Sequence, residues 1–205
     1  MPPRAGGSRL GPLLGLCLAL LAVASWADDG DPPPRSGMLL LATAQLQHPL
    51  WRETVILLLE HGPRGTLGVI VNRPLPIPLE KLLPAVPGVR ERELAVYLGG
   101  PVAREELLFL LRAEAPPEGA REVVPGVFFG PGEALLDARV FAATELSELR
   151  VFTGRAGWAP GQLEAELARG DWRVLPADAA SVFELDGAEQ WRELMQRRLQ
   201  RWVGA

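Results

Sequence analysis

Residues 54–71 constrain the fold more than any other stretch of this chain. Thr54 to Glu60 is a continuous run of β-branched and leucine side chains, the composition of a strand buried on both faces. Gly62-Pro63-Arg64-Gly65 follows as a turn signal, and Thr66 to Val71 is a second run of the same kind. So short a connection predicts an antiparallel hairpin.

Shorter strands are predicted at Met38–Thr43, Ala95–Leu98, Leu107–Leu111, Val123–Phe129, Arg150–Thr153 and Trp172–Leu175. Arg73 to Pro78 holds three prolines, which cannot continue a hydrogen-bonded ladder. Leu79 to Leu83 fits one helical turn, and residues 133–146 carry a weak helical pattern. A helix is expected between Pro160 and Gly170, since proline suits a first turn and glycine a left-handed cap. Trp158 and Trp172 bracket that helix, and Glu166 is placed to pair with Arg169 on its exposed side. Trp191, Leu194, Met195, Leu199 and Trp202 recur at helical spacing over 188–202. These elements predict one α+β domain: a mostly antiparallel, curved sheet of about six to eight strands with packed helices.

Residues 1–27 read as an address. Arg4 and Arg9 precede an apolar run, Leu10 to Ala24, and Ser25-Trp26-Ala27 is a small-x-small cleavage site. The run is shorter than the about 20 residues a membrane span needs. Export to the periplasm or outside is therefore expected, with no membrane span left after cleavage. Retention of the segment as an anchor, and an internal start at Met38 giving a cytoplasmic product, are the alternatives. Residues 28–37, with three consecutive prolines, read as an extended linker ahead of a domain over 38–203.

The chain has 205 residues and a formal net charge of −4. Loss of Arg4 and Arg9 makes it two units more negative, which disfavours sequence-independent nucleic-acid binding. The single cysteine, Cys17, lies in the address segment, and two histidines remain, His48 and His61. Disulfides and thiolate ligands are thereby excluded from the mature chain, and no metal or cofactor is expected. Its serines, Ser36, Ser147 and Ser181, lie in no Gly-x-Ser-x-Gly elbow.

Four blocks share order and spacing with a known family: Leu39-Leu40-Leu41-Ala42 with the strand at 54–59; Glu60-His61 with Gly68 through Asn72-Arg73-Pro74; Val96 through Gly99-Gly100-Pro101-Val102; and Gly154 through Trp158, Gln162, Leu163, Glu164, Glu166 and Trp172. Over residues 37–202 the chain resembles the YqgE/AlgH family. That resemblance implies a single compact domain and names no reaction. Members described as transcriptional regulators of exopolysaccharide production supply one functional alternative. The family's acidic residue after the first strand is missing here, where Gln47-His48-Pro49-Leu50-Trp51 stands.

Candidate ligand-binding residues are Asn72, Arg73, Gly99, Gly100, Trp158 and Gln162. Asn72 and Arg73 sit where a buried strand stops, with an amide and a guanidinium fork suited to carboxylate or phosphate. Closing a turn and forming an ion pair are their structural alternatives. Gly99 and Gly100 could expose backbone N–H groups to an anion or merely permit a tight turn. Trp158 and Gln162 offer a ring and an amide, or anchor the helix. Glu60 and His61 are neighbours on a strand and face opposite ways unless a bulge intervenes, so His61 reads as a polar strand end. Glu164 and Glu166 are two apart on a helix and do not converge. The leading expectation is a binding or regulatory module for a small polar or anionic ligand, non-catalytic or weakly catalytic. An unrecognised hydrolase is the remaining alternative.

Overall fold

The computed structural model describes residues 31–84, 94–131, 148–185 and 187–203, the side chains of 201–203 excepted. Residues 1–30, which include the expected address segment, the stretch 133–146 and the side chain of Trp202 lie outside the described residues.

The hairpin forms as expected: β2 (Val55–Gly62) pairs antiparallel with β3 (Gly65–Ile70) through the Gly62/Gly65 turn. Alternate residues of β2 enter different cores. Val55, Leu57 and Leu59 join one cluster, while Ile56 and Leu58 join another. This is the burial on both faces that the continuous apolar run requires. β1 (Met38–Ala42) lies against β2, and β10 (Trp172–Pro176) lies against β1.

The other half of the sheet contains β4 (Pro74–Pro78), β5 (Ala95–Leu98), β6 (Val102–Arg112), β7 (Arg121–Val124) and β8 (Val127–Pro131). The long strand β9 (Leu149–Trp158) joins the two halves. The order is β10-β1-β2-β3-β9-β6-β8-β7, with β5 parallel to β9 and β4 paired to β5. The sheet thus has ten strands, against about six to eight expected. One excess strand is β4, in the proline-rich stretch that sequence reasoning kept out of the ladder. It pairs on one side only, the edge position where prolines are tolerated. The other comes from Pro125-Gly126, which splits the predicted strand 123–129 into β7 and β8.

The helices are α1 (Gln162–Ala168), α2 (Ala179–Phe183) and α3 (Gly187–Val203), with a 3₁₀ turn at Leu79–Lys81. Among the described residues no helix is long and apolar enough to cross a membrane. Leu163 of α1 packs with Trp158, Trp172, Ile56 and Leu58, whereas Val182 and Leu194 of α2 and α3 pack with Leu39, Leu57 and Val69. The helices therefore cover opposite faces of the β1–β3 strands.

β9 changes partners along its length. Its residues 149–155 run along β6, 151–153 pair also with β5, and 156–158 pair with β3. Gly154 lies just before the change, with a left-handed φ of 69°. Opposite it, β6 skips from Val102 to Leu107, so four residues bulge outward.

The proline-rich segment does not behave as a spacer over its described part, 31–37. Pro34 and Gly37 are buried, and Ser36 Oγ donates to the Leu59 carbonyl at 2.9 Å. The Asp31 carboxylate accepts from the backbone N–H of Val174 on β10 at 3.1 Å and from Arg198 Nε on α3 at 2.8 Å. One side chain thus ties a sheet edge to the last helix. Asp31→Ala leaves the Val174 N–H without that acceptor and should cost about 1–3 kcal/mol. A chain starting at Met38 loses the whole strap and should melt lower still. Equal melting temperatures for the intact chain, the variant and the shortened chain would rule out this stabilising role.

Candidate functional site

Asn72 is fully buried, with 0% of its surface exposed. Its Oδ1 accepts from the Val55 N–H at 2.9 Å, and its Nδ2 donates to the carbonyls of Glu53 at 2.8 Å and Gly187 at 2.9 Å. Both amide protons are committed, and the residue locks the start of β2 to the first residue of α3. Glu53 stands beside it with φ 55°, a left-handed conformation that costs a non-glycine residue of order 1 kcal/mol or more.

Arg73 turns the other way and is half-buried. One Nη2–H donates to the Arg52 carbonyl. No carboxylate among the described residues lies within ion-pair distance of its guanidinium. Burial lowers its pKa below the usual arginine range; Glu53 acts against that shift and Arg52 adds to it. An arginine keeps its proton throughout the physiological range. The corner therefore holds a partly desolvated cation whose donors, among the described residues, reach only the Arg52 carbonyl.

Gly99 and Gly100 abut this corner: the Gly99 carbonyl accepts from Ile70 N–H, and the Arg73 carbonyl accepts from Leu98 N–H, both at 2.9 Å. Their bare α-carbons face backbone. A Cβ at Gly99 would stand 2.2 Å from the Gly154 carbonyl oxygen, and one at Gly100 would stand 2.2 Å from the Arg155 carbonyl carbon. The glycines let the chain leaving β5 lie against β9 at a separation no side chain permits.

Trp158 and Gln162 lie elsewhere. Trp158 pairs with Thr66 near the turn end of β3, about 20 Å along the strand direction from Asn72. The six candidate residues thus form two groups: Asn72, Arg73, Gly99 and Gly100 at one end, Trp158 and Gln162 at the other, so they do not converge on one site. In the second group Glu166 is the hub, a role the sequence reading missed. Its Oε2 accepts from the indole N–H groups of Trp158 and Trp172, each at 2.8 Å, and its Oε1 accepts from Gln162 Nε2 at 3.0 Å. Arg169, expected as its partner, instead pairs with Asp171. The two indoles meet edge to face at 6.2 Å. Gly161 occupies the N-cap of α1 in a left-handed conformation, one residue after Pro160. The Gly-Trp-Ala-Pro-Gly-Gln-Leu run therefore encodes a strand, a reversal and a helix fastened back onto the strand through one carboxylate.

Arg150 was also not singled out. It is buried, donates to the Val71, Phe183 and Leu185 carbonyls, and lies 4.7 Å from the Tyr97 ring centroid. No group of three or more metal-ligating side chains occurs among the described residues.

A curled ten-stranded sheet, halved by one shared strand and sealed by a Trp–Glu–Trp fastening, defines a single-domain α+β protein with its polar corner where β3 and β5 end. The AlgH-like family model matches residues 39–201, and the chain belongs to that family. A UPF0301 protein of Mycobacterium bovis is 37% identical over 171 residues, covering 80% of this chain and 82% of the relative. One from Mycobacterium avium is 38% identical over 170 residues, covering 80% and 83%. The solution structure of AlgH from Pseudomonas aeruginosa superposes with a TM-score of 0.69 at 29% identity, covering 82% of this chain and 90% of that one. The crystal structure of a Corynebacterium diphtheriae protein, DIP2367, gives 0.67 at 25% identity, covering 82% and 88%.

Proposed function

We propose that this AlgH-like domain binds a small anionic ligand at the Arg73 corner. The observation that carries the reading is the half-buried Arg73 guanidinium, charged, tied to one carbonyl, and without a carboxylate partner among the described residues. A fork of that kind fits a carboxylate or a phosphate through two parallel N–H donors. Asn72, Gly99 and Gly100 build the frame that aims it, and the left-handed Glu53 stores strain at the same corner.

The test is a thermal-shift screen of organic acids, phosphorylated metabolites and nucleotides against wild type and Arg73→Lys. A ligand held at 100 times its dissociation constant stabilises by about 2.7 kcal/mol. A shift present in wild type and largely lost in Arg73→Lys is the expected result, because lysine keeps the charge and loses the fork. Equal shifts in the two proteins, or none with any anion, would remove Arg73 as a ligand group.

A further inference from the structure

His61 occupies a position its sequence neighbours do not explain. The β2–β3 register slips between Leu58 and Glu60, a bulge in β2. Bulges re-aim side chains; this one resets the alternation ahead of Glu60 and His61, which still face opposite ways. Glu60 pairs with Arg121 on β7, while His61 turns to the face covered by α1. There its Nδ1 lies 2.8 Å from Thr66 Oγ1, directly across the hairpin, and its Nε2 lies 3.6 Å from Glu164 Oε1 on α1. Hydroxyl, imidazole and carboxylate thus stand in line, contributed by β3, β2 and α1.

We propose that Thr66, His61 and Glu164 form an acyl-transfer site for small, unbranched carboxylic esters. The tautomer with its proton on Nε2 faces that proton to Glu164 and offers the Nδ1 lone pair to the Thr66 hydroxyl. The hydroxyl, a weak nucleophile by itself, is activated by such a base. Thr66 Oγ1 attacks the ester carbonyl carbon, its proton passes to Nδ1, and the carbonyl π pair moves onto oxygen. Re-forming the carbonyl breaks the ester C–O bond. The departing alkoxide takes the proton from Nδ1 and leaves the acyl group on Thr66. Water then delivers a proton to Nδ1 and attacks the acyl carbon; the Thr66 oxygen leaves with that proton and the carboxylic acid is released. Thr66 is 8% exposed and the His61 side chain 17%, which is the ground for naming small esters.

The experiment follows p-nitrophenyl acetate hydrolysis by the purified protein and its Thr66→Val, His61→Gln, Glu164→Gln and His48→Gln variants, with folding checked by melting temperature. General-base contributions of this kind run from about 10² to 10⁴. Thr66→Val and His61→Gln should each lose at least about tenfold, Glu164→Gln less, and His48→Gln nothing. Acid-quenched wild-type protein should carry the acetyl group on the Thr66 peptide, which decides the matter even if Thr66→Val does not fold. Acetyl absent from Thr66, or found on Lys81 alone, would overturn the proposal. So would hydrolysis that His61→Gln leaves unchanged.

Discussion

Gly154→Ala is expected to destabilise the fold by about 2–5 kcal/mol. Gly154 sits at φ 69°, where a Cβ costs roughly 1–2 kcal/mol. The new atom would also stand 2.6 Å from the Gly100 carbonyl oxygen and 3.0 Å from that of Val102. Neither neighbour is a flexible side-chain tip, so relief requires moving β5 or the start of β6 away from β9. Overpacking of this sort adds about 1–3 kcal/mol, occasionally more. The sum reaches the exceptional class of single substitutions, in a fold whose whole margin is about 5–15 kcal/mol. Urea unfolding of whatever remains soluble measures it. A melting temperature within about 2 °C of wild type would show that this close approach has slack.

Asn72→Ala should be the next most damaging. It orphans the Val55 N–H and the carbonyls of Glu53 and Gly187, in a position with 0% exposure. Each unsatisfied buried group costs about 1–3 kcal/mol, partly relieved where water can enter. A loss of about 2–4 kcal/mol in denaturant titration is expected, with no comparable loss for Arg73→Lys. That contrast matters for ligand studies: a lost response in Asn72→Ala would reflect a loosened β2–α3 junction, whereas Arg73→Lys tests the corner itself. Equal stability of Asn72→Ala and wild type would mean the amide is replaceable by solvent.

Much of the framework was legible because it depends on local signals. The Thr54–Val71 hairpin, the helix between Pro160 and Gly170, and the terminal helix follow from periodicity and turn residues. The edge strand β4 was not legible, because proline excludes a residue only from the ladder's inner side and sequence does not say which side is outer. Gly99 and Gly100 were visible as glycines, but the backbone that demands them, at Gly154 and Arg155, lies more than fifty residues away. The Glu166 hub was hidden for a related reason. Helical spacing offers Arg169, and only the tertiary fold brings Trp172 round to compete. His61 escaped because a bulge changes which face a residue occupies, and nothing in Leu58-Leu59-Glu60 announces one.

The shared strand has a consequence for the chain while it is being made. β1 finds its outer partner only when residues 172–176 exist, and β3 finds its second neighbour only with residues 156–158. A ribosome adding about 5–20 residues per second delivers those partners several seconds after the hairpin. Throughout that interval the apolar edges of β1 and β3 stay unpaired, the form in which strands recruit other chains. Pairing so distant in sequence also places folding at the slow end for domains of this size. Biosynthesis, more than the finished molecule, is therefore where this architecture is most exposed to aggregation, and where a holding chaperone would matter most.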